Sequence, residues 1–318
     1  MRAFRVTSFD QPPQVEEIPV PQPQAGQIRL KIESCGVNFA DTLMTTGKYQ
    51  DTPELPFTMG MEVCGIVDEL GAGVTSPAVG SRVVVYCGSG GMADYGVFAA
   101  DRCLPVPDGM PPETAAGFMI AYGTSHLALK RRARLQAGET LVVTGAGGGV
   151  GQTAIEIGKL MGARVIAIAR GERKLAAAKA AGADVLIDAS EDLTARLRAE
   201  GGVDVLYDAV GGDAFGKILR AMNREGRMLV IGFASGTVPP IPANHLLVKN
   251  VDVMGFYWGG YVKFNPEAMD ESLKELMQYF AEGRLHPHIN HVVPLYDAPE
   301  ALDLLTSRRS TGKVVVNP

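Results

Sequence analysis

At 318 residues the chain is long for one hydrophobic core and suits two domains. An apolar fraction of 46% and a charged fraction of 20% are those of an ordinary globular protein. The net charge of −5, with no broad basic run, argues against nucleic acid or an anionic membrane surface as the main partner. No stretch approaches the ~20 apolar residues of a membrane span, and Met1 to Asp10 has no apolar core of a secretory signal. The four cysteines, Cys35, Cys64, Cys87 and Cys103, are widely spaced without a C-x-x-C pair. A cytoplasmic protein with reduced thiols and no metal site is the expectation.

The first third reads as β-rich. Ile28 to Ile32 alternates apolar with polar side chains, and Val63 to Leu70 and Arg82 to Tyr86 are further strands between Gly/Pro turns. Beyond about residue 113 strands and helices alternate. Leu141-Val142-Val143 is a short, wholly apolar strand suited to burial on both faces of a parallel sheet. Val150, Ala154, Ile157 and Met161 then fall on one helical face. Strands over Val165–Ala169, Val185–Ile187, Val203–Tyr207 and Met228–Ile231 follow, with helices over Lys174–Ala181, Asp192–Glu200 and Ala214–Asn223. That is a doubly wound βα pattern.

After Val253 the texture changes again, with a helix over Pro266–Glu282, a strand over Ile289–Val293, a helix over Ala298–Ser307 and a last strand at Val314–Val316. The tail is expected to return and complete the first domain. This divides the chain into residues 1–122 with 261–318, and a dinucleotide-binding domain over 123–260. Val251 to Phe256 is an apolar strand at the edge of the parallel sheet, and pairing with a second copy would cover it, so a homodimer is expected. His286, His288 and His291 surround Pro287 on what reads as a surface strand, not a ligand set.

Chemistry enters at the glycine-rich turn. Gly145, Gly148 and Gly151 follow the apolar strand, and Gly149 and Val150 open the helix. Glycine there lets backbone N–H groups approach a pyrophosphate with no side chain between, and the helix offers its positive end to the charge. The second strand of the unit ends at Ala169-Arg170, with Arg173 and Lys174 close behind. An NAD site usually has Asp or Glu at that point, whereas arginine can hold a 2′-phosphate with two hydrogen bonds. The pattern points to NADPH. In the competing arrangement, Arg173 and Lys174 are a solvated helix face and Glu172 takes the acidic role.

Several motifs spread over nearly the whole length carry a family resemblance. They are Gly36-Val37-Asn38-Phe39-Ala40-Asp41 with Gly47-Lys48-Tyr49, Gly60-Met61-Glu62-Val63-Cys64-Gly65, Gly80-Ser81-Arg82-Val83 and Tyr122-Gly123-Thr124. The glycine turn and Gly312-Lys313-Val314-Val315-Val316 complete the set. The chain resembles the medium-chain dehydrogenases/reductases, in particular their zinc-independent quinone oxidoreductase branch, which includes zeta-crystallin. The resemblance implies an α/β fold: a GroES-like β-rich catalytic domain plus a Rossmann doubly wound parallel sheet, with the active site in the cleft between them. Zinc members carry Cys where this chain has Asn38 and His where it has Met61, and the lobe of four close cysteines is absent between Val83 and Tyr95.

What the resemblance implies for function is an NADPH-dependent, zinc-independent reductase that passes a hydride to a quinone or an α,β-unsaturated carbonyl. A 2-enoyl thioester reductase and a non-catalytic, crystallin-like NADPH-binding protein are the alternatives. Without a metal to polarise the carbonyl, a few aimed donors would have to serve. The resemblance places Asn38 and Asp41 near the nicotinamide and substrate and makes Tyr49 the candidate catalytic donor; a tyrosine merely packed on a loop is the bland alternative. Asp41 is read as ordering its loop in preference to titrating. Thr124 touches the nicotinamide or its ribose, or else caps a helix. Gly232, Phe233 and Ser235 belong to a cofactor-side loop. Lys313 reaches the cofactor or is a solvated strand-end charge. Tyr49, Phe256 and Trp258 wall a substrate pocket, or the last two are core aromatics beside Tyr257.

Overall fold

The computed structural model describes residues 1–318. The chain opens with β1 (Arg2–Val6), β2 (Gln14–Glu17), β3 (Gln27–Val37), α1 (Phe39–Met44) and β4 (Phe57–Thr58). It continues with β5 (Glu62–Leu70), β6 (Arg82–Tyr86), β7 (Tyr95–Ala99), β8 (Leu104–Pro105), α2 (Pro112–Ala116) and α3 (Met119–His126). The alternating half is β9 (Thr140–Thr144), α4 (Gly149–Leu160), β10 (Arg164–Ala169), α5 (Glu172–Ala180), β11 (Val185–Asp188), α6 (Leu193–Ala199) and β12 (Val203–Asp208). Then come α7 (Asp213–Leu219), β13 (Met222–Val230), α8 (Ala243–Lys249), β14 (Asp252–Gly255), α9 (Tyr261–Phe264) and α10 (Pro266–Ala281). β15 (Ile289–Pro294), α11 (Ala298–Thr306) and β16 (Lys313–Asn317) close the chain.

Two compact units result: residues 1–120 with 287–318, and residues 121–286. In the first, Ile28, Leu30 and Ile32 of β3 point inward while Lys31 stays in water, the alternation of a strand with one wet face. β3 is central to a seven-stranded sheet ordered β15-β16-β3-β5-β6-β8, with β7 also paired to β3. β16 runs antiparallel to β3 through Val314↔Val37 and Val316↔Cys35. The C-terminal strand thus completes the sheet that the N-terminal half begins. Val314 and Val316 join Phe4, Ile28, Val63 and Leu302 in one apolar core.

The second unit holds six parallel strands ordered β11-β10-β9-β12-β13-β14, so β9 lies where the winding reverses. Its central strands read apolar because helices cover both faces: Leu141–Val143 and Val165–Ile168 are buried throughout. Leu206, Phe215, Ile218 and Leu197 pack with them.

Two expectations need correction. Residues 261–286 belong to the second unit, not the first. The reason is polar as well as apolar: Ser272 and Glu275 of α10 meet His126 Nδ1 at 2.7 Å and Lys130 Nζ at 2.5 Å, tying the helix to the segment that follows α3. The helix expected over Ala214–Asn223 stops at Leu219, and Met222 already pairs with Val203 as strand. Apolar residues at 218, 219 and 222 fit a helical face, but Met222 is buried as the first residue of β13.

Phe215 is fully buried at the centre of the second unit. Phe215→Ala is expected to lower the unfolding free energy by about 3–5 kcal/mol, read from urea denaturation. A loss below about 1 kcal/mol would show that the core collapses around the gap.

Candidate functional site

In the second unit the site is built at the carboxyl ends of β9, β12 and β13. Gly145 leaves β9 at φ +63°, a left-handed conformation that favours glycine, and its carbonyl accepts the Gly148 amide at 2.9 Å. The helix then folds back so closely that a Cβ on Gly151 would lie 2.2 Å from the Gly145 oxygen. The amides of Gly149, Val150 and Gly151 form the first turn of α4 and have no carbonyl ahead of them in the helix. Unshielded donors at a helix N-terminus are what a dinucleotide pyrophosphate requires, and the residues present fit one.

Asp208 organises the facing loop. Its carboxylate, at the end of β12, accepts from the Thr144 hydroxyl and from the amides of Val210 at 3.1 Å and Gly211 at 3.1 Å. Burial pushes this carboxyl up, and the Thr144 and backbone donors oppose that. The loop after β13 zips onto it: Ala234 and Ser235 donate to the carbonyls of Ala209 and Val210, and Gly212 donates to Thr237. A Cβ on Gly145 would meet the Val210 side chain at 3.1 Å. The glycine turn, Val210 and the loop carrying Gly232, Phe233 and Ser235 are thereby gathered together.

At the end of β10, Arg170 and Arg173 face solvent. Lys174 lies inward, its stem so close to the turn that a Cβ on Gly147 would lie 2.6 Å from the Lys174 Cβ. Thr124 is buried inside α3 and is not a helix cap. Phe256 and Trp258 are interior residues of this unit. The Trp258 indole fills the space that a side chain on Gly123 would need, and Phe256 stacks obliquely on Tyr261 at 5.6 Å. Glu156 of α4 accepts from the Tyr122 hydroxyl and from the His286 amide. Burial raises its carboxyl, against those donors.

In the first unit a charged cluster is closed off from water. Lys313 Nζ, at the start of β16, donates to Asn38 Oδ1 at 2.6 Å and to Glu62 Oε1 at 2.6 Å. Asn38 Nδ2 donates to the same Glu62 oxygen at 3.0 Å, and the Ile120 amide donates to Glu62 Oε2 at 2.9 Å. Glu62 is fully buried and Lys313 is 7% exposed, which overturns the reading of Lys313 as a solvated charge. Asp41, also fully buried, accepts the Asn38 amide at 2.7 Å, so it does order the start of α1. Its other oxygen, Oδ1, has no hydrogen-bond partner. Burial is the main reason that the Asp41 carboxyl is raised to about 7; the Asn38 amide and Lys313 oppose the shift.

Tyr49 is half-buried and packs against the apolar core of this unit. Two residues beside the sequence-predicted site were not singled out as candidates from the sequence, Glu62 and Tyr86. Tyr86 lies directly opposite Glu62 in the β5–β6 pairing, and burial pushes its phenol up, with Tyr49 and Asp51 contributing next. The available signal for Glu62 was a carboxylate inside the apolar run Met61-Glu62-Val63-Cys64; its partner lies 251 residues away. The four thiols are free, and burial raises each. No three His, Cys, Asp and Glu side chains form a metal-binding group.

Residues 24–108 match the family described as alcohol dehydrogenase GroES-like domain, and residues 149–278 the family described as zinc-binding dehydrogenase. The chain is 39% identical to quinone oxidoreductase-like protein 2 of Bos taurus over 322 residues, which span 99% of this chain and 92% of that one. It belongs to the quinone oxidoreductase family of medium-chain dehydrogenases/reductases. Prostaglandin reductase-3 of Bos taurus is 33% identical, covering 94% of this chain and 83% of its own length. Among solved structures, the quinone oxidoreductase of Thermus thermophilus, described together with its NADPH complex, superposes with a TM-score of 0.89 at 32% identity, covering 100% of both chains. Family membership makes the chain an oxidoreductase with a GroES-like β-rich part and a Rossmann-type parallel sheet, in accord with the two units described above.

Two outcomes follow. The folded chain holds the Asp41 proton more tightly than the unfolded chain, so this group's contribution to stability is fully present below about pH 4 and is lost as pH rises through 7. Asp41→Asn keeps an oxygen for the Asn38 amide and is expected to flatten that decline. Urea unfolding at pH 5 and pH 8 measures it, and an equal drop in both proteins contradicts the assignment. Gly151→Ala drives a methyl into the Gly145 carbonyl and is expected to abolish dinucleotide binding or folding of the second unit, measured by titration and circular dichroism.

Proposed function

We propose that this chain is an NADPH-dependent reductase of quinones or α,β-unsaturated carbonyls. The observation that carries the reading is the glycine turn, with a lysine stem packed against it and an arginine at the end of the adjacent strand. The pyrophosphate would lie on the amides of Gly149, Val150 and Gly151, and the 2′-phosphate against Arg170 and Lys174 with Arg173 nearby. Relatives named for quinone reduction and for prostaglandin reduction support an electron-poor acceptor. NADPH, when bound, supplies a hydride.

The remaining assignments concern this chain's own groups. Lys313 has three N–H donors and gives two to Asn38 and Glu62, so one stays available to a developing negative charge. Glu62 holds that ammonium in place through its Oε1, and Asn38 is held by both ends of its amide. Asn38 is therefore a positioning residue in this reading, and Lys313 joins the substrate side as well as, or in place of, the cofactor side. Tyr49 holds the proton offered to the reduced acceptor, and Asp41 fixes the turn from Asn38 into α1. Thr124 and the Gly232–Ser235 loop are assigned to the nicotinamide end of the cofactor. Phe256 and Trp258 are assigned to structural support of the pocket. A homodimer through the β14 edge is part of the same reading, supported by Leu247 and Val248 on neighbouring α8, 78% and 68% exposed. Four free thiols and no helix long enough to cross a membrane suit a cytoplasmic protein.

Turnover of a simple quinone or enone with NADPH tests the reading directly. Tyr49→Phe is expected to lower kcat by about 10²-fold with NADPH affinity unchanged. Arg170→Ala with Lys174→Ala is expected to weaken NADPH by roughly 1.5–3 kcal/mol per lost charged contact, leaving NADH unaffected. Tight NADPH binding without turnover of any quinone, enone or enoyl thioester would leave a nucleotide-binding protein in place of an enzyme.

A further inference from the structure

The turn from β10 into α5 carries a fixed anion beside its cations. Asp188 ends β11 and pairs in register with Ala169, the last residue of β10, which places it beside the point where Arg170 leaves that neighbouring strand. Asp188 Oδ2 accepts the Gly171 amide at 2.8 Å. Oδ1 accepts the Ser190 amide at 2.9 Å and the Ser190 hydroxyl at 2.6 Å. Gly171 turns at φ +81°, so the carboxylate pins the bend between Arg170 and α5, the helix that carries Lys174. These donors, Ser190 first, and the charge of Arg170 pull the carboxyl down to about 2, so it is ionised throughout the physiological range. Its oxygens are engaged by the Gly171 turn and Ser190, and it ends the third strand of the unit, one strand beyond the position where an acidic residue usually takes the ribose hydroxyls.

We propose that Asp188 is a specificity-determining residue: a structural carboxylate that anchors the Gly171 turn and, as an anion beside Arg170, moderates the preference for a 2′-phosphorylated dinucleotide. The inference rests on the NADPH reading and extends it. The 2′-phosphate brings its own negative charge to the same basic residues, so Asp188 competes with it for Arg170 and repels it. NADH brings no phosphate there and escapes the penalty. The chain thus tolerates the unphosphorylated cofactor better than its basic residues alone would allow.

Fluorescence titration of the full chain with NADPH and with NADH, at 20 mM and 500 mM NaCl, tests this. Asp188→Asn keeps an acceptor for Gly171 and removes the charge. It is expected to tighten NADPH about 3- to 10-fold at low salt, the scale of a screened charge interaction near a surface, with NADH changed less than about 2-fold. The gain is expected to shrink toward nothing at 500 mM NaCl. Asp188→Ser, a smaller neutral replacement, is expected to shift the NADPH to NADH ratio in the same direction. Ser190→Ala, which keeps the anion, is expected to leave that ratio unchanged. A ratio unaltered in both neutral variants, or a gain that persists at high salt, overturns the inference while the NADPH reading stands. A wild-type chain that binds neither nucleotide overturns both.

Discussion

One buried ion pair governs the first unit. Glu62 has no solvent contact, and a carboxylate in that position is tolerable only with its charge matched and its lone pairs filled. Lys313, Asn38 and the Ile120 amide do this together. Because Lys313 begins β16, the match exists only after the C-terminal strand has added itself beside β3. Removing either partner would strand the other charge in a low-dielectric site, at a cost of about 3–5 kcal/mol for such pairs. Sheet completion and assembly of the polar cluster are therefore a single event.

The second unit depends on a steric constraint. Gly145, Gly147 and Gly151 each occupy a place where a side chain would strike backbone, Val210 or Lys174. The close approach leaves the first-turn amides uncovered and brings the Lys174 stem against the turn. Asp208, buried and ringed by Thr144 and two amides, holds the facing loop at the reversal point of the sheet.

Much of this was legible in the sequence, for reasons of periodicity. Strands buried on both faces, such as β9 and β10, are continuous apolar runs bounded by glycine, and long amphipathic helices such as α4 and α10 carry their own pattern. The glycine turn declares itself because only one residue type can occupy it. What could not be read is what depends on distant partners. The Glu62–Lys313 pairing joins residues 251 apart, and the Ser272–His126 contact that assigns α10 to the second unit joins residues 146 apart. Short elements such as α1, β4, β8 and α8 are too brief to carry a period. Lys313 was open to two readings, a cofactor contact or a solvated strand-end charge, because nothing local says that Gly117 packs against its stem or that Glu62 takes its ammonium.

Glu156 carries one more consequence. The chain enters the second unit just before Tyr122 and leaves it just after His286, and both residues bind the same carboxylate. The whole excursion is therefore a long loop drawn shut at its neck by one acidic side chain, and that side chain belongs to α4, the helix that the glycine turn opens. A module stapled at its own base has its entry and its exit tied to one carboxylate from within.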